Sequence, residues 1–203
     1  MNRSFVPCLL FTLCLASAAM AQTPRPRGPV ASPTPPWLPR AAFVGTTIRE
    51  GAILPQARLQ WQVVFFQGRS DTLGILIEPL ASFALVKPDT IVEGDDVDMT
   101  SLQLYSLLFS VGYTSRRRTP GLEWGFQVGT GPAWLHARFS NGSKDEESYW
   151  GGLLDGRARL GYRFGAVSLG LAVGYSDPYN YRRSSLARSY IGGLQLGIYA
   201  DWR

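Results

Sequence analysis

Residues Tyr149 to Asp177 read YWGGLLDGRARLGYRFGAVSLGLAVGYSD. Trp150, Gly152, Leu154, Gly156, Ala158, Leu160, Tyr162 and Phe164 fall on one parity, and Asp155, Arg157, Arg159, Gly161 and Arg163 on the other. After Gly165-Ala166 the pattern resumes. Val167, Leu169, Leu171, Val173 and Tyr175 share one parity, against Ser168, Gly170, Ala172, Gly174 and Ser176. A strand sends alternate side chains to opposite faces, so this period of two predicts two long strands joined by a tight turn. One face is apolar and tipped with aromatics. The other combines Gly, Ser and Ala with charges of both signs.

Working outward, the same alternation marks further strands. Leu59, Trp61, Val63 and Phe65 alternate with Arg58, Gln60 and Gln62 within 57–67. Residues 72–85 set Leu73, Ile75, Ile77, Ala81 and Phe83 against Gly74, Glu78, Ser82 and Ala84, with Pro79 inside, where a bulge is expected. Residues 101–114 carry Tyr105, Leu107, Phe109, Val111 and Tyr113 on one face. In 122–139, Leu122, Trp124, Phe126, Val128 and Trp134 oppose Glu123, Gly125, Gln127, Gly129, Gly131 and Ala133. Past Trp134 the apolar set becomes Leu135, Ala137 and Phe139, which predicts either a bulge or the end of a membrane zone. The last strand is expected over 189–202, and the least regular candidate is Ala42–Glu50.

Short and long connections then alternate: a stretch near Gly51–Gln56, a short turn at Gly68–Asp71, an acidic loop at Lys87–Met99, a short basic turn at Ser115–Pro120, a loop at Asn141–Ser148, the turn at Gly165-Ala166, and a loop at Asp177–Arg188. Outer-membrane barrels have short turns on the side of their termini and longer loops on the other, and an even strand number. The prediction is an all-β, antiparallel up-and-down transmembrane β-barrel of about eight strands, too small for a wide channel.

Composition favours lipid outside and a polar lumen inside. The formal net charge is +5 and comes mainly from Arg, with lysine only at Lys87 and Lys144. A soluble barrel of the lipocalin-like kind would put Lys and Glu on its outer face. At the amino end, Met1-Asn2-Arg3, an apolar run from Phe5 to Ala19 and the exit Ala19-Met20-Ala21 read as a secretory signal peptide over 1–21. Residues 22–40 contain seven prolines and read as an extended periplasmic leader, leaving 41–203 for the barrel. Both cysteines, Cys8 and Cys14, fall in the signal, so neither disulfide nor thiolate chemistry is expected of the barrel.

The strand from Ser189 ends with Gly197, Ala200 and Trp202 on a spaced pattern, one residue before Arg203. This resembles the carboxy-terminal assembly signal of small bacterial outer-membrane β-barrel proteins, in which the aromatic usually stands last. The resemblance covers about residues 42–203. It implies a bacterial outer-membrane location, insertion by the barrel-assembly machinery, and contact with outer-membrane lipid and lipopolysaccharide.

The candidate lumen charges are Arg58, Glu78, Glu123, Asp155, Arg157, Arg159, Arg163 and Asp201. Buried charges must pair, so they are expected to form an ordering ladder, with a narrow ion path as the alternative. His136, Ser140 and the acids Asp145-Glu146-Glu147 supply the residue types of an acyl-transfer triad. They resemble the lipid A deacylases, whose strand motif is His-x-Ser-Asn followed by an acid. Here His136 and Ser140 are four apart rather than two, and the positional equivalent Gly174-Tyr175-Ser176-Asp177 keeps the serine but has Gly where the histidine belongs. Either alignment breaks the triad. One histidine and no cysteine in the barrel exclude a His/Cys metal centre, and no cofactor is expected. Asn141-Gly142-Ser143 reads as a turn, and Arg116-Arg117-Arg118 as a short basic turn rather than a nucleic-acid site. The expected role is a structural or surface-interaction protein acting through loops 89–99, 141–148 and 177–188. The alternatives are an outer-leaflet lipid acyl hydrolase, a narrow pore, and a soluble periplasmic binder of an apolar ligand.

Overall fold

The computed structural model describes residues 37–202, apart from 69–70, 85–88, 93–94, 117–119, 141–145 and 182–186. The expected signal peptide, most of the leader, the Arg116–Arg118 turn beyond Arg116 and the Asn141-Gly142-Ser143 turn lie outside those residues.

The described residues form nine strands: β1 (Ala41–Arg49), β2 (Ala52–Gln67), β3 (Asp71–Phe83), β4 (Asp89–Val92), β5 (Asp95–Arg116), β6 (Gly121–Ser140), β7 (Glu146–Phe164), β8 (Val167–Tyr179) and β9 (Gly193–Trp202). All neighbours are antiparallel in the order β3-β2-β1-β9-β8-β7-β6-β5, and β3 pairs back onto β5 to close the wall. The result is a closed eight-stranded barrel. The short β4 lies outside it, paired to the protruding start of β5. One hydrogen-bonded row runs Trp150, Trp134, Tyr105, Ala81, Ala57, Val44, Ile198, Leu171 and returns to β7 at Leu160. That circuit climbs from 150 to 160, a shear of ten residues. With eight strands it sets a strand tilt of roughly 40–45°.

The barrel has a terminal end, where Arg40 and Trp202 meet through a backbone hydrogen bond of 2.8 Å, and a loop end opposite. Several boundaries differ from the sequence reading. Ala41–Arg49 is a full strand, held on both sides by β2 and β9. The expected stretch at Gly51–Gln56 is a tight Glu50-Gly51 turn, with φ of 46° and 82°. Two positive φ values match the two-residue hairpin turn that suits the twist of its strands, and Gly51 accepts its value without strain. β2 therefore begins at Ala52. Strand also invades the expected loops: β5 starts at Asp95, β7 starts at Glu146 and β8 runs to Tyr179. The last strand starts later than expected, because Ala187–Tyr190 form a 3-10 turn.

The bulge expected at Pro79 is not there, since Pro79 sits in continuous register opposite Leu107. On the β2 side the ladder passes from Arg58–Leu80 to Trp61–Ile77, skipping the proline that has no N–H to give. The bulge lies in the neighbouring strand, between Gln62 and Val64. It moves the outward parity of β2, so that Phe66, paired to Leu73, lies on the exposed side.

Nor does β6 change phase past Trp134. Its burial alternates without a break from Glu123 to Phe139. What changes is the chemistry of the two faces. Toward the terminal end the exposed face is Leu122, Trp124, Phe126 and Val128, and the buried face is Glu123, Gly125, Gln127 and Gly129. Toward the loop end the buried face becomes Leu135, Ala137 and Phe139, and Arg138 is exposed. The barrel thus has an inverted zone, apolar outside and polar inside, below a zone of ordinary polarity. An apolar core of Leu54, Leu102, Leu108, Leu135, Leu153 and Ile191 fills the upper zone.

Tyr181, from the β8–β9 connection, caps this core and donates its hydroxyl to the Ala133 carbonyl at 3.0 Å. Burial pushes its phenol pKa up from the usual 10.0. The folded cap then keeps its proton at a pH where the unfolded chain ionises. Its stabilisation is complete below about pH 10 and is lost as pH rises beyond that. Alkaline titration by circular dichroism is expected to show a stability loss above about pH 10 that Tyr181→Phe reduces, at a neutral-pH cost of about 1 kcal/mol for the missing hydrogen bond.

Inside the polar zone, Gly45 and Gly197 face each other across β1 and β9 beneath the Phe43 ring. A Cβ on Gly45 would stand 2.6 Å from Phe43 Cζ and would press on the Leu196 carbonyl oxygen. Gly45→Val is expected to cost roughly 1–3 kcal/mol by overpacking, read as a lower urea midpoint in detergent.

Candidate functional site: a buried charge network

The alternation that builds the wall also points every second residue of β2, β3, β6, β7 and β9 inward. Arg58, Glu78, Asp155 and Arg157 meet there from three strands. The Arg58 guanidinium lies 2.9 Å from Asp155 Oδ2 and 3.5 Å from Glu78 Oε1. Arg157 Nε lies 3.0 Å from Asp155 Oδ1, and its Nη2 donates to Glu78 Oε1. Each arginine therefore touches both carboxylates in a closed, charge-balanced ring of four. Amides complete it. Gln195 Nε2 donates to Asp155 Oδ2 at 2.6 Å, and Gln127 Nε2 donates to Glu78 Oε2. Arg58 Nη2 donates to Gln56 Oε1 at 2.7 Å, and Gln127 Oε1 accepts from Gln60 at 2.7 Å. Arg58 and Arg157 also sit 5.5 and 5.1 Å from the Phe43 ring centroid. Arg58 is 2% exposed and Asp155 1%, so these charges depend on one another rather than on water.

A second group lies nearer the terminal end. Arg163 Nη2 stands 2.9 Å from Glu123 Oε2, and Ser168 donates to the same oxygen at 3.4 Å. Arg159 Nη1 is 3.8 Å from Asp201, its Nη2 donates to Thr114, and its guanidinium lies 5.2 Å from the Tyr199 ring centroid. Arg40 closes the end with a 2.6 Å bond to Gln62 Oε1. All eight charged residues picked from sequence parity face inward and take part in ion pairs. The five glutamines Gln56, Gln60, Gln62, Gln127 and Gln195 were missed, as were Arg40, Phe43 and Tyr199, although inner parity was a usable signal for every glutamine except Gln56, which the sequence pattern leaves in a connection. Two cavities of about 30 Å³ each remain among these side chains, each with room for about two waters.

The catalytic candidates do not converge. His136 is on the outer side of β6, stacked on Trp134 at 5.5 Å, with Nδ1 3.7 Å from Glu146. Ser140 shares that parity four residues on, about 13 Å away by strand rise. Ser176 is buried on the inner side of β8, opposite Asp155. His136 and Ser176 thus lie on opposite faces of the wall, and Asp177 is paired with Arg49 at 3.1 Å. Gly197, Ala200 and Trp202 lie on β9, with Ala200 opposite Ala42. Among the described residues no group of His, Cys, Asp and Glu is placed to hold a metal ion.

Comparison with protein-family models, with curated proteins and with solved structures gives no match.

Proposed function

We propose that this is a bacterial outer-membrane barrel whose filled interior holds its shape while the loop end serves as a structural or surface-interaction module. The observation that carries this reading is the inverted zone, with charged and amide side chains buried inside and bulky apolar side chains exposed outside. In water such a wall would be a very large exposed apolar surface, and soluble monomers avoid patches of more than a few hundred Å². Most exposed aromatics add support by standing at two heights, with Phe109 and Tyr175 between them. Trp124, Tyr162 and Phe164 lie near the terminal end, and Phe83, Tyr105 and Trp150 lie toward the loop end. Membrane barrels carry such girdles at their two interfaces.

Strand length supports the surface role. A tilted strand crosses a bilayer in about 9–11 residues. β5, β6 and β7 have 22, 20 and 19 residues. Their excess lies at the loop end, where polarity is that of a water-facing domain with its own apolar core. On this reading the protein is exported by the signal at 1–21, inserted by the barrel-assembly machinery, and surrounded by outer-membrane lipid and lipopolysaccharide. A conducting role is disfavoured by the apolar core across the upper lumen, and an apolar-ligand carrier by interior cavities of only about 30 Å³. Separation of His136 from Ser176 disfavours the hydrolase.

Fractionation with a heat-shift gel tests the proposal. Recovery in the outer membrane, with a band that changes mobility on boiling, is expected. Recovery in the periplasm without detergent would overturn it.

A further inference from the structure

The outer wall carries an apolar groove of about 760 Å³, in the size range of small-molecule sites. It follows the hydrogen-bonded row from Val44 through Ala57, Ala81 and Tyr105 to Trp134 and Trp150. The small side chains Ala42, Ala57 and Ala81 make it concave where neighbouring parts of the wall carry Leu, Ile and Phe. Pro79 and Pro132 lie along it, each at a place where a ladder skips two pairs. From the geometry we infer that this groove holds one acyl chain of a lipid in the loop-end leaflet. The inference rests on the membrane reading above.

Dimensions argue for that occupant. The row crosses six strands, so five spacings of about 4.8 Å give a length of roughly 24 Å. At a tilt of roughly 40–45° it drops roughly 16 Å along the barrel axis, close to half of the roughly 30 Å hydrocarbon core. Its direction fits as well. Trp150 lies near Glu146 at the loop end of β7, whereas Val44 lies near Ala41 at the terminal end of β1. The groove therefore enters at the upper aromatic level and descends through one leaflet. Polar atoms of its lining already have partners: the Trp134 indole N–H donates to Ser148 at 2.8 Å, the Tyr105 hydroxyl to Gln103 Oε1 at 3.5 Å and Ser106 Oγ to the Pro132 carbonyl at 2.9 Å, while the Arg58 guanidinium belongs to the inner charge ring. Just above its upper end stand His136, Arg138 and Glu146, paired with one another. A headgroup would meet that polar rim while the chain lies below. A second barrel is a poorer occupant, because a convex wall would bridge the concavity and leave it unfilled.

The test is photocrosslinking. The full barrel is reconstituted in phosphatidylcholine vesicles containing one part in a hundred of a phosphatidylcholine with a diazirine midway along one palmitoyl chain. Crosslinks are mapped by mass spectrometry. At least about fivefold enrichment is expected at Ala57, Ala81 and Leu107 over Leu160, Leu171 and Val173 on the opposite wall. Ala57→Phe with Ala81→Phe, both on the outer surface, is expected to abolish the enrichment in a barrel that still shifts on heating. Even labelling all round the wall would overturn the inference and leave the membrane reading standing, and so would a groove protected by a second copy. No labelling of any wall residue would overturn both.

Discussion

Arg58→Met is expected to destabilise the folded barrel by roughly 3–5 kcal/mol, the usual loss when one partner of a buried ion pair is removed. The size follows from what is left behind. Arg58 touches both Asp155 and Glu78, and its removal leaves two buried carboxylates with Arg157 alone between them. Gln56 and Gln195 lose a donor at the same time. Urea unfolding of the refolded protein in detergent micelles measures the loss. The companion variant Arg58→Met/Asp155→Asn restores balance, leaving Glu78 with Arg157. It is expected to recover a substantial part of the loss, because the uncompensated charge has gone. A double variant as unstable as the sum of the two single changes would mean that the ring is not a coupled unit.

On the proposed membrane reading, Leu171→Arg is expected to destabilise the barrel by roughly 2–4 kcal/mol in lipid, the cost of a cation near the middle of a wall that faces the bilayer. Leu171 is 68% exposed and sits midway along the outer face of β8, between Val167 and Tyr175. The size of the effect separates the two accounts of this face. In water, a charge replacing an exposed leucine stays within about ±0.5 kcal/mol. In hydrocarbon it cannot. Unfolding from lipid vesicles against urea gives the number, and Arg138→Ala on the polar outer part of β6 is the control expected to be near neutral.

Most of the barrel was legible because period two is a strong local signal, and because an inverted wall keeps its two faces chemically distinct. Tyr149–Asp177 shows this best, since its turn, its pairing and its outward row all follow from parity. The charged residues were legible for the same reason. Arg157 and Arg159 stand on the parity opposite Leu160 and Tyr162, so an apolar exterior left them only the lumen. Legibility failed where one face changed character. Leu135, Ala137 and Phe139 resemble a continuation of the apolar wall that has slipped by one. They are instead the inner face of a zone with ordinary polarity, and hydrophobicity alone cannot tell a slip in phase from an exchange of surroundings. The bulge between Gln62 and Val64 was missed because Val63-Val64-Phe65-Phe66 is apolar on both parities. Pro79 attracted the bulge instead, although a proline needs only a missing pair, not an extra residue. The charge network was read as charges alone, because glutamines of inner parity carry no sign to prompt a pairing. Tyr181 and Ile191 reach the core from a connection with no periodicity, so no pattern announced them.

On the proposed reading the outer face of the lower zone meets hydrocarbon. With both cysteines confined to the first 21 residues, single cysteines introduced at Leu171 and Arg138 take a nitroxide label cleanly. In the vesicle-reconstituted protein, the label at 171 is predicted to collide freely with molecular oxygen and to be shielded from a water-soluble nickel complex, with the opposite ranking at 138. Equal access of the nickel complex to both positions would contradict the account.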